Sequence, residues 1–327
     1  MSARVVSLLP SATEIVAGIG AADRLVGRSH ECDFPAGVER LPVLTRSKVR
    51  KEGGSAEIHR DVEAILERSL GVYHVDAELL RRLGPTHVVT QVQCDVCAVS
   101  LADVESALAG WVGGAPALLA LAPFDLESVM RDVRAVGRFL DREREGDALA
   151  ARMARELEAI RRAAQQPARR PTVGCIEWLA PLMAAGNWMP ELVEIAGGTD
   201  LFGRPGEHSP WLEWDRLLAA DPEVLVIIPC GFPIGRIGRD LHLLTRDPRW
   251  ASLRAVAGGR VYAADGNQFF NRPGPRIVES ARILAEILHP EAFAPDRAGS
   301  AWKRVGTGAA GTRPPRGSGS PRHAGPR

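Results

Sequence analysis

The chain of 327 residues is 45% hydrophobic, 25% charged and 5% aromatic, the balance of a folded protein long enough for two cores; a disulfide-stapled miniature scaffold and a disordered chain are both excluded. Forty-one Lys and Arg stand against forty Asp and Glu, a net +1, so no overall basic field points to nucleic acid. Seven of the basic residues and one acid lie from Asp296 onward, which leaves 34 basic against 39 acidic residues, a net −5, before it.

Residues 4–9 form a short apolar run stopped by Pro10. It is briefer than the roughly 7–15-residue core of a secretory leader. No run approaches the roughly 18 apolar residues of a membrane span. The expectation is a cytoplasmic protein without membrane insertion, or an exported one if the true start lies elsewhere, with its five cysteines reduced.

Ser11 and Glu14 have the spacing of a helix capping box ahead of Ile15, Val16 and Ile19, so strand, turn and helix follow one another. The order recurs as a helix over 79–83, a turn at Gly84-Pro85, a strand over 87–90 and a helix over 104–111. Residues 124–164 keep helical periodicity with interruptions only at Gly137 and Gly146; a single helix there would span about 60 Å. After the prolines of 167–171 the alternation restarts, with strands over 172–177, 224–228 and 261–264 and a helix over 276–288. Residues 296–327, rich in Gly, Pro, Ser and Arg, are expected to be disordered.

Strand–helix alternation implies parallel sheets covered by helices. Residues 12–27 read like 189–203, and 79–90 read like 217–228, in the same order. The expected fold class is therefore α/β, with two similar Rossmann-like lobes (1–123 and 167–295) joined by a long rigid helix (124–166). A ligand cleft would lie between the lobes, at the strand ends.

The loops beyond the predicted strands hold the candidate site. They contribute Ser11, His30, Glu31, Cys32, Gln91 and Cys94 from the first half. The second half supplies Glu177, Trp178, Trp188, Trp211, Phe232, Asn267, Phe269, Phe270 and Arg272. His30, Cys32, Cys94 and Cys97 together offer four soft donors suited to zinc or iron. The alternative is two buried thiols beside a hydrogen-bonded loop, and Cys94-x-x-Cys97 alone also has the spacing of a redox pair. The aromatics suit a large flat ligand such as a tetrapyrrole-like ring, or else lobe packing. Arg272 and Arg276 flank Pro273-Gly274-Pro275, placed to bind ligand carboxylate or amide oxygens or to pair with acids. No nucleophile elbow, phosphate loop, dinucleotide fingerprint or His-Glu-x-x-His occurs. A small-molecule binding protein is expected. The alternative is a metal- or heme-dependent enzyme or sensor built on His30, Cys32, Cys94 and Cys97.

The runs Arg4-Val-Val-Ser-Leu-Leu-Pro-Ser-Ala-Thr-Glu14, Gly84-Pro-Thr-His-Val-Val89, Pro190-Glu-Leu-Val-Glu-Ile-Ala-Gly-Gly198, Ser209-Pro-Trp211 and Arg272-Pro-Gly-Pro-Arg276 resemble one known family. It is the class III substrate-binding proteins of ABC importers, of the cobalamin and ferric-siderophore type, and a signal-less cobalamin-binding-like subgroup is nearest. The resemblance runs in one order through nearly all of residues 4–290. It implies two lobes on a long helix, no catalysis, and importer subunits as partners. Cobalamin or another corrinoid, or a related metal chelate, would be the ligand. It assigns Phe269 as the aromatic against the corrin and matches Trp211 to an aromatic of the second lobe. Three features set this chain apart: Arg46 after Thr45 where cobalamin binders carry an aromatic, an insertion over 48–70, and the Cys-containing runs 29–35 and 93–100.

Overall fold

Short apolar runs between turn residues become the central strands of two parallel sheets. The structure, a computed structural model, describes residues 3–49, 53–66, 72–93, 99, 101–108, 111 and 114–306. The first lobe runs β1 (Val5–Ser7), α1 (Pro10–Gly18), β2 (Leu25–Arg28), β3 (Thr45–Ser47), α2 (Ser55–Leu66), β4 (Tyr73–Val75), α3 (Ala77–Leu83), β5 (His87–Gln91), α4 (Leu101–Leu108) and β6 (Ala117–Leu121). Its sheet has the order β2-β1-β5-β6 with every neighbour parallel. Parallel sheets are covered on both faces, and β1 is buried throughout, as that demands. β3 and β4 stand apart as an antiparallel pair at the two ends of α2.

The expected capping box at Ser11 and Glu14 does not form. Helix α1 starts two residues earlier than that box requires, on Pro10, and Leu9 offers no side-chain cap. Proline suits the first helical position because that N–H has no intrahelical partner anyway. Glu14 is left free to pair with arginines from the other lobe.

The single helix expected over 124–166 is two helices. α5 (Leu126–Phe139) begins with a reciprocal capping box between Asp125 and Ser128, and α6 (Glu143–Ala164) follows a turn in which Asp141 takes φ 54°. A Cβ on Gly137 would lie 2.9 Å from the Cα of Gly146 and 2.9 Å from the Arg142 carbonyl oxygen. These glycines are where two helix backbones touch, not soft spots in one rod. The 22 residues of α6 make a rod of about 33 Å.

The second lobe runs β7 (Thr172–Leu179), β8 (Leu182–Ala184), α7 (Met189–Ile195), β9 (Thr199–Asp200), α8 (Trp214–Ala220), β10 (Val224–Ile227), α9 (Ile234–Asp240), α10 (His242–Thr245), α11 (Arg254–Ala257), β11 (Val261–Ala264), α12 (Ile277–Leu288) and β12 (Trp302–Arg304). Its parallel core has the order β9-β7-β10-β11, the counterpart strand for strand of β2-β1-β5-β6. The repeat seen in the sequence is thus a repeat of topology: α1 answers to α7, and α3 with β5 to α8 with β10. Antiparallel β8 and β12 are additions.

Strand β12 also corrects the expectation of disorder from Asp296. Trp302 is buried, and its Nε1 donates to Glu286. Arg297 pairs with Glu279 and with the fully buried Glu286. One aromatic and one doubly bonded arginine suffice to dock a stretch whose composition reads as solvated. Residues 307–327 lie outside the described residues.

One apolar core joins the lobes, running from Ile15 on α1 through Val133 on α5 and Leu149 on α6 to Leu192 on α7 and Leu284 on α12. No described helix is long and apolar enough to cross a membrane.

Candidate functional site

The C-terminal ends of strands from both sheets open on one cleft of about 440 Å³, within the range of small-molecule sites. From the first lobe it receives Ser11 at the start of α1, Glu31 beyond β2 and Gln91 at the end of β5. From the second come Glu177 and Trp178 on β7, Trp188 ahead of α7, and Trp211. Phe232 follows β10, and Asn267, Phe270 and Arg272 follow β11.

The second-lobe wall is built by close loop contacts. Asp265 accepts hydrogen bonds from the backbone of Asn267 and Gln268, shaping the tight turn Gly266–Phe270. A Cβ on Gly266 would sit 2.2 Å from the Pro229 carbonyl oxygen, so only glycine lets the loops beyond β10 and β11 meet. Trp188 Nε1 donates to the Phe270 carbonyl at 3.0 Å, fixing both aromatics. Trp178 meets Phe232 edge-on at 5.4 Å, and the Arg236 guanidinium lies 3.8 Å from the centre of the Phe232 ring. Trp211, 56% exposed, is the aromatic surface left open in the cleft.

The cleft is closed at its base by charge. Arg272 bridges both carboxylate oxygens of Asp33, at 2.5 and 3.0 Å, and reaches Glu14 at 3.5 Å. Arg276 grips Glu14 through two bonds of 2.7 and 3.0 Å. Burial would raise the Asp33 carboxyl, but the Arg272 bonds outweigh it and hold it below the usual carboxylate range. Both arginines come from the second lobe and both acids from the first. Arg272, expected to hold ligand oxygens, is 4% exposed and committed to an interlobe ion pair.

Three further expectations are corrected. Phe269 does not line the cleft: it packs half-buried against the core, 5.6 Å from the Arg276 guanidinium. His30 also lies outside the lining, its Nδ1 2.7 Å from Thr45 Oγ1 and its ring 5.6 Å from that of Tyr73. Cys32 is buried and accepts from Thr13 Oγ1 at 3.0 Å, and burial pushes its thiol up to about 11. That thiol is protonated at neutral pH and is no ready nucleophile. Cys94 and Cys97 lie outside the described residues, and among the described residues no three His, Cys, Asp or Glu side chains gather to hold a metal ion.

Met183, His208 and Cys230 also line the cleft unforeseen, and two larger contributions were missed as well. The insertion supplies a wall, since Ile58, His59, Val62 and Glu63 of α2, with Tyr73 of β4, line the cleft. Helix α2 crosses to the second lobe, where Asp240 accepts hydrogen bonds from the Ser55 N–H (3.1 Å) and hydroxyl (3.0 Å), and Arg236 donates to the Gly53 carbonyl. Ile58, Val62 and Ile65, at helical spacing, were the signal in the sequence. Asn187 is the second: it lines the cleft at φ 53°, buried, with Oδ1 lacking a hydrogen-bond partner among the described residues. Asn is a residue type that tolerates this left-handed backbone.

A family model described as periplasmic binding protein matches residues 5–267. A vitamin B12-binding protein of Vibrio parahaemolyticus is 22% identical over 306 residues, covering 86% of this chain and 88% of its own. Two solved structures share the fold. The periplasmic vitamin B12-binding protein of Vibrio cholerae has a TM-score of 0.63 at 17% identity, covering 88% of this chain and 96% of its own. A periplasmic heme-binding protein from Pseudomonas aeruginosa has a TM-score of 0.66 at 20% identity, covering 89% and 94%.

Proposed function

Because this chain belongs to the periplasmic binding protein family, we propose that it holds a flat metal chelate between its lobes, a corrinoid first and a heme second, without transforming it. The family consists of binding proteins rather than enzymes. The observation that carries the reading is the wall of Trp178, Trp188, Phe232 and open Trp211 at the meeting strand ends. Large rings bury much apolar area against a planar ligand and prefer stacked or edge contacts with it. The charged groups at the cleft base are spent on one another, so a ligand held mainly by its apolar faces suits the site better than a multiply anionic one. Relatives that bind vitamin B12 and heme set the two chelates to be tried. Delivery to membrane subunits of an ABC importer is the partner role that goes with the family.

Titration calorimetry and absorption spectra with cobalamin, cobinamide and heme test the reading. Binding of a corrinoid with a shifted spectrum is expected. No heat and no spectral change with any of the three at about 100 μM, which corresponds to an affinity weaker than about −5.5 kcal/mol, would remove the proposal.

A further inference from the structure

We propose that the cleft selects chelates whose rim carries primary carboxamides over those whose rim carries carboxylates, and that Asn187 makes the choice; this rests on the chelate reading given above. Two buried side-chain atoms of the wall carry the inference. Asn187 Oδ1, an acceptor, and Trp178 Nε1, a donor, have no hydrogen-bond partner among the described residues, and both residues line the cleft. A polar atom left unpaired away from water costs its full desolvation, so a ligand group that pairs it gains what another forgoes. A carboxamide offers an N–H to Oδ1 and a carbonyl to Nε1. A carboxylate offers acceptors alone and leaves Oδ1 unpaired, and an ammonium offers donors alone.

Asn187 is held for this role. Glycine would take its left-handed φ of 53° with the least strain, yet the position carries a side chain, 8% exposed, whose oxygen the protein itself does not use. The Asn187 N–H donates to the Glu207 carbonyl at 2.6 Å, and its carbonyl accepts from the Gly206 N–H at 3.1 Å, so the backbone is fixed on both sides. The terminal torsion of asparagine is broad, which lets the amide turn to a group in the cleft without a change of backbone.

Charge along the wall acts in the same direction. Glu31, Glu63 and Glu177 line the cleft, and the arginines among the described lining residues are Arg236 and Arg272. Arg272 is paired with Asp33 and Glu14. Arg236 lies over the Phe232 ring and donates to the Gly53 carbonyl at 2.8 Å. His59 and His208 add positive charge only when protonated. A ligand edged with carboxylates therefore meets like charge and finds both guanidiniums engaged, a penalty that neutral amides escape.

The test uses the full chain at pH 7 with two matched pairs of chelates. Aquocobinamide is set against cobyrinic acid, the same corrin ring with carboxylates in place of amides, and ferric heme against its propionamide derivative. Quenching of tryptophan fluorescence gives each Kd. Within each pair that binds, the amide form should bind about 10-fold or more tightly than the carboxylate form. Asn187→Gly, which suits the left-handed backbone, should raise the Kd of the amide form about 3- to 10-fold and leave that of the carboxylate form unchanged, so that the ratio narrows. Asn187→Asp keeps the acceptor and adds a charge, and should hold or widen the ratio. Trp178→Phe removes a donor that both rim groups can use, and should weaken both forms by a similar factor. Circular dichroism and thermal melts check that the variants fold. Carboxylate forms bound as tightly as amide forms, or a ratio unchanged in Asn187→Gly, would overturn the assignment and leave chelate binding standing. Quenching by none of the four would remove both.

Discussion

Trp211 and Phe269 should answer truncation in different ways, although both were expected to touch ligand. Trp211 is 56% exposed at the open face of the cleft, so Trp211→Ala should leave the melting temperature unchanged and weaken ligand binding by about 1–3 kcal/mol, a roughly five- to hundredfold rise in Kd. Phe269 packs against the core and contributes its carbonyl to Ser280. Phe269→Ala should cost about 1–2 kcal/mol of stability, below the full penalty because the ring is half-buried, with little effect on Kd. Calorimetric titration beside thermal melts of both variants separates the outcomes; a binding loss confined to Phe269→Ala would restore the role implied by family resemblance.

Asp132 on α5 supplies a second residue-scale test. It accepts the Ala122 N–H at 3.0 Å, and burial pushes its carboxyl up to about 6 from an ordinary 3.8. A folded-state value above the unfolded one means that the folded protein binds this proton more tightly. The stability it contributes is full below about pH 4 and is lost as pH rises through about 6. Asp132→Asn keeps an oxygen to accept from Ala122. It should stabilise the protein at pH 7, on the order of 2 kcal/mol, relative to its effect at pH 4. Urea unfolding of both proteins at the two pH values measures this; an equal effect at both would refute it.

At the scale of elements, the decisive unit is α2 with its flanking strands β3 and β4. The helix has apolar residues for one face, yet its start is satisfied from another lobe, by Asp240. Removing a helix cap costs about 0.5–2 kcal/mol, here charged to the docking of one helix and not to the global fold. Asp240→Ala should therefore raise amide hydrogen exchange over residues 55–66 and speed ligand dissociation while the unfolding midpoint stays near that of the parent. Exchange confined to its parental rate would show that apolar packing alone holds α2. The pair α5 and α6 shows the converse case, where periodicity was right about helix and silent about direction. A glycine reads as a weak point in one helix, but the same absent side chain lets Gly137 and Gly146 bring two helices into backbone contact.

For the whole molecule, the question is what keeps two lobes at a fixed separation. The shared apolar core through α5, α6 and α12 does so on one side. The quartet of buried Glu14 and Arg272, largely buried Arg276 and half-exposed Asp33 does so at the base of the cleft. Removing one partner of a buried ion pair leaves an uncompensated charge and costs about 3–5 kcal/mol. Arg272→Ala should lose stability on that order, because Glu14 keeps only Arg276, and small-angle scattering should show a more open molecule. Arg272→Ala with Glu14→Gln together should recover part of the loss. If the double variant were less stable than the sum of the single ones, the quartet would not be acting as a clamp.

Residue types and their spacing determined the alternation of strand and helix, the repeat of 12–27 in 189–203, and so the two lobes with strand ends facing a cleft. They did so because burial periodicity and turn chemistry are local, and because parallel strands joined by helices admit few topologies. Most of the cleft's aromatics were legible for the same reason, since they follow strands directly. What only the tertiary structure decided were the pairings between distant residues. Arg272 could be read as a ligand anchor until Asp33 and Glu14 stood within its reach, and Cys32 as a metal donor until burial and Thr13 enclosed it. Phe269 and Phe270 are neighbours, yet a single tight turn leaves the first half-buried beside Arg276, outside the cleft lining, and buries the second completely behind the cleft wall. Helix α2 was visible as an extra segment. That it spans the cleft depends on an aspartate 185 residues away, a contact no local pattern encodes.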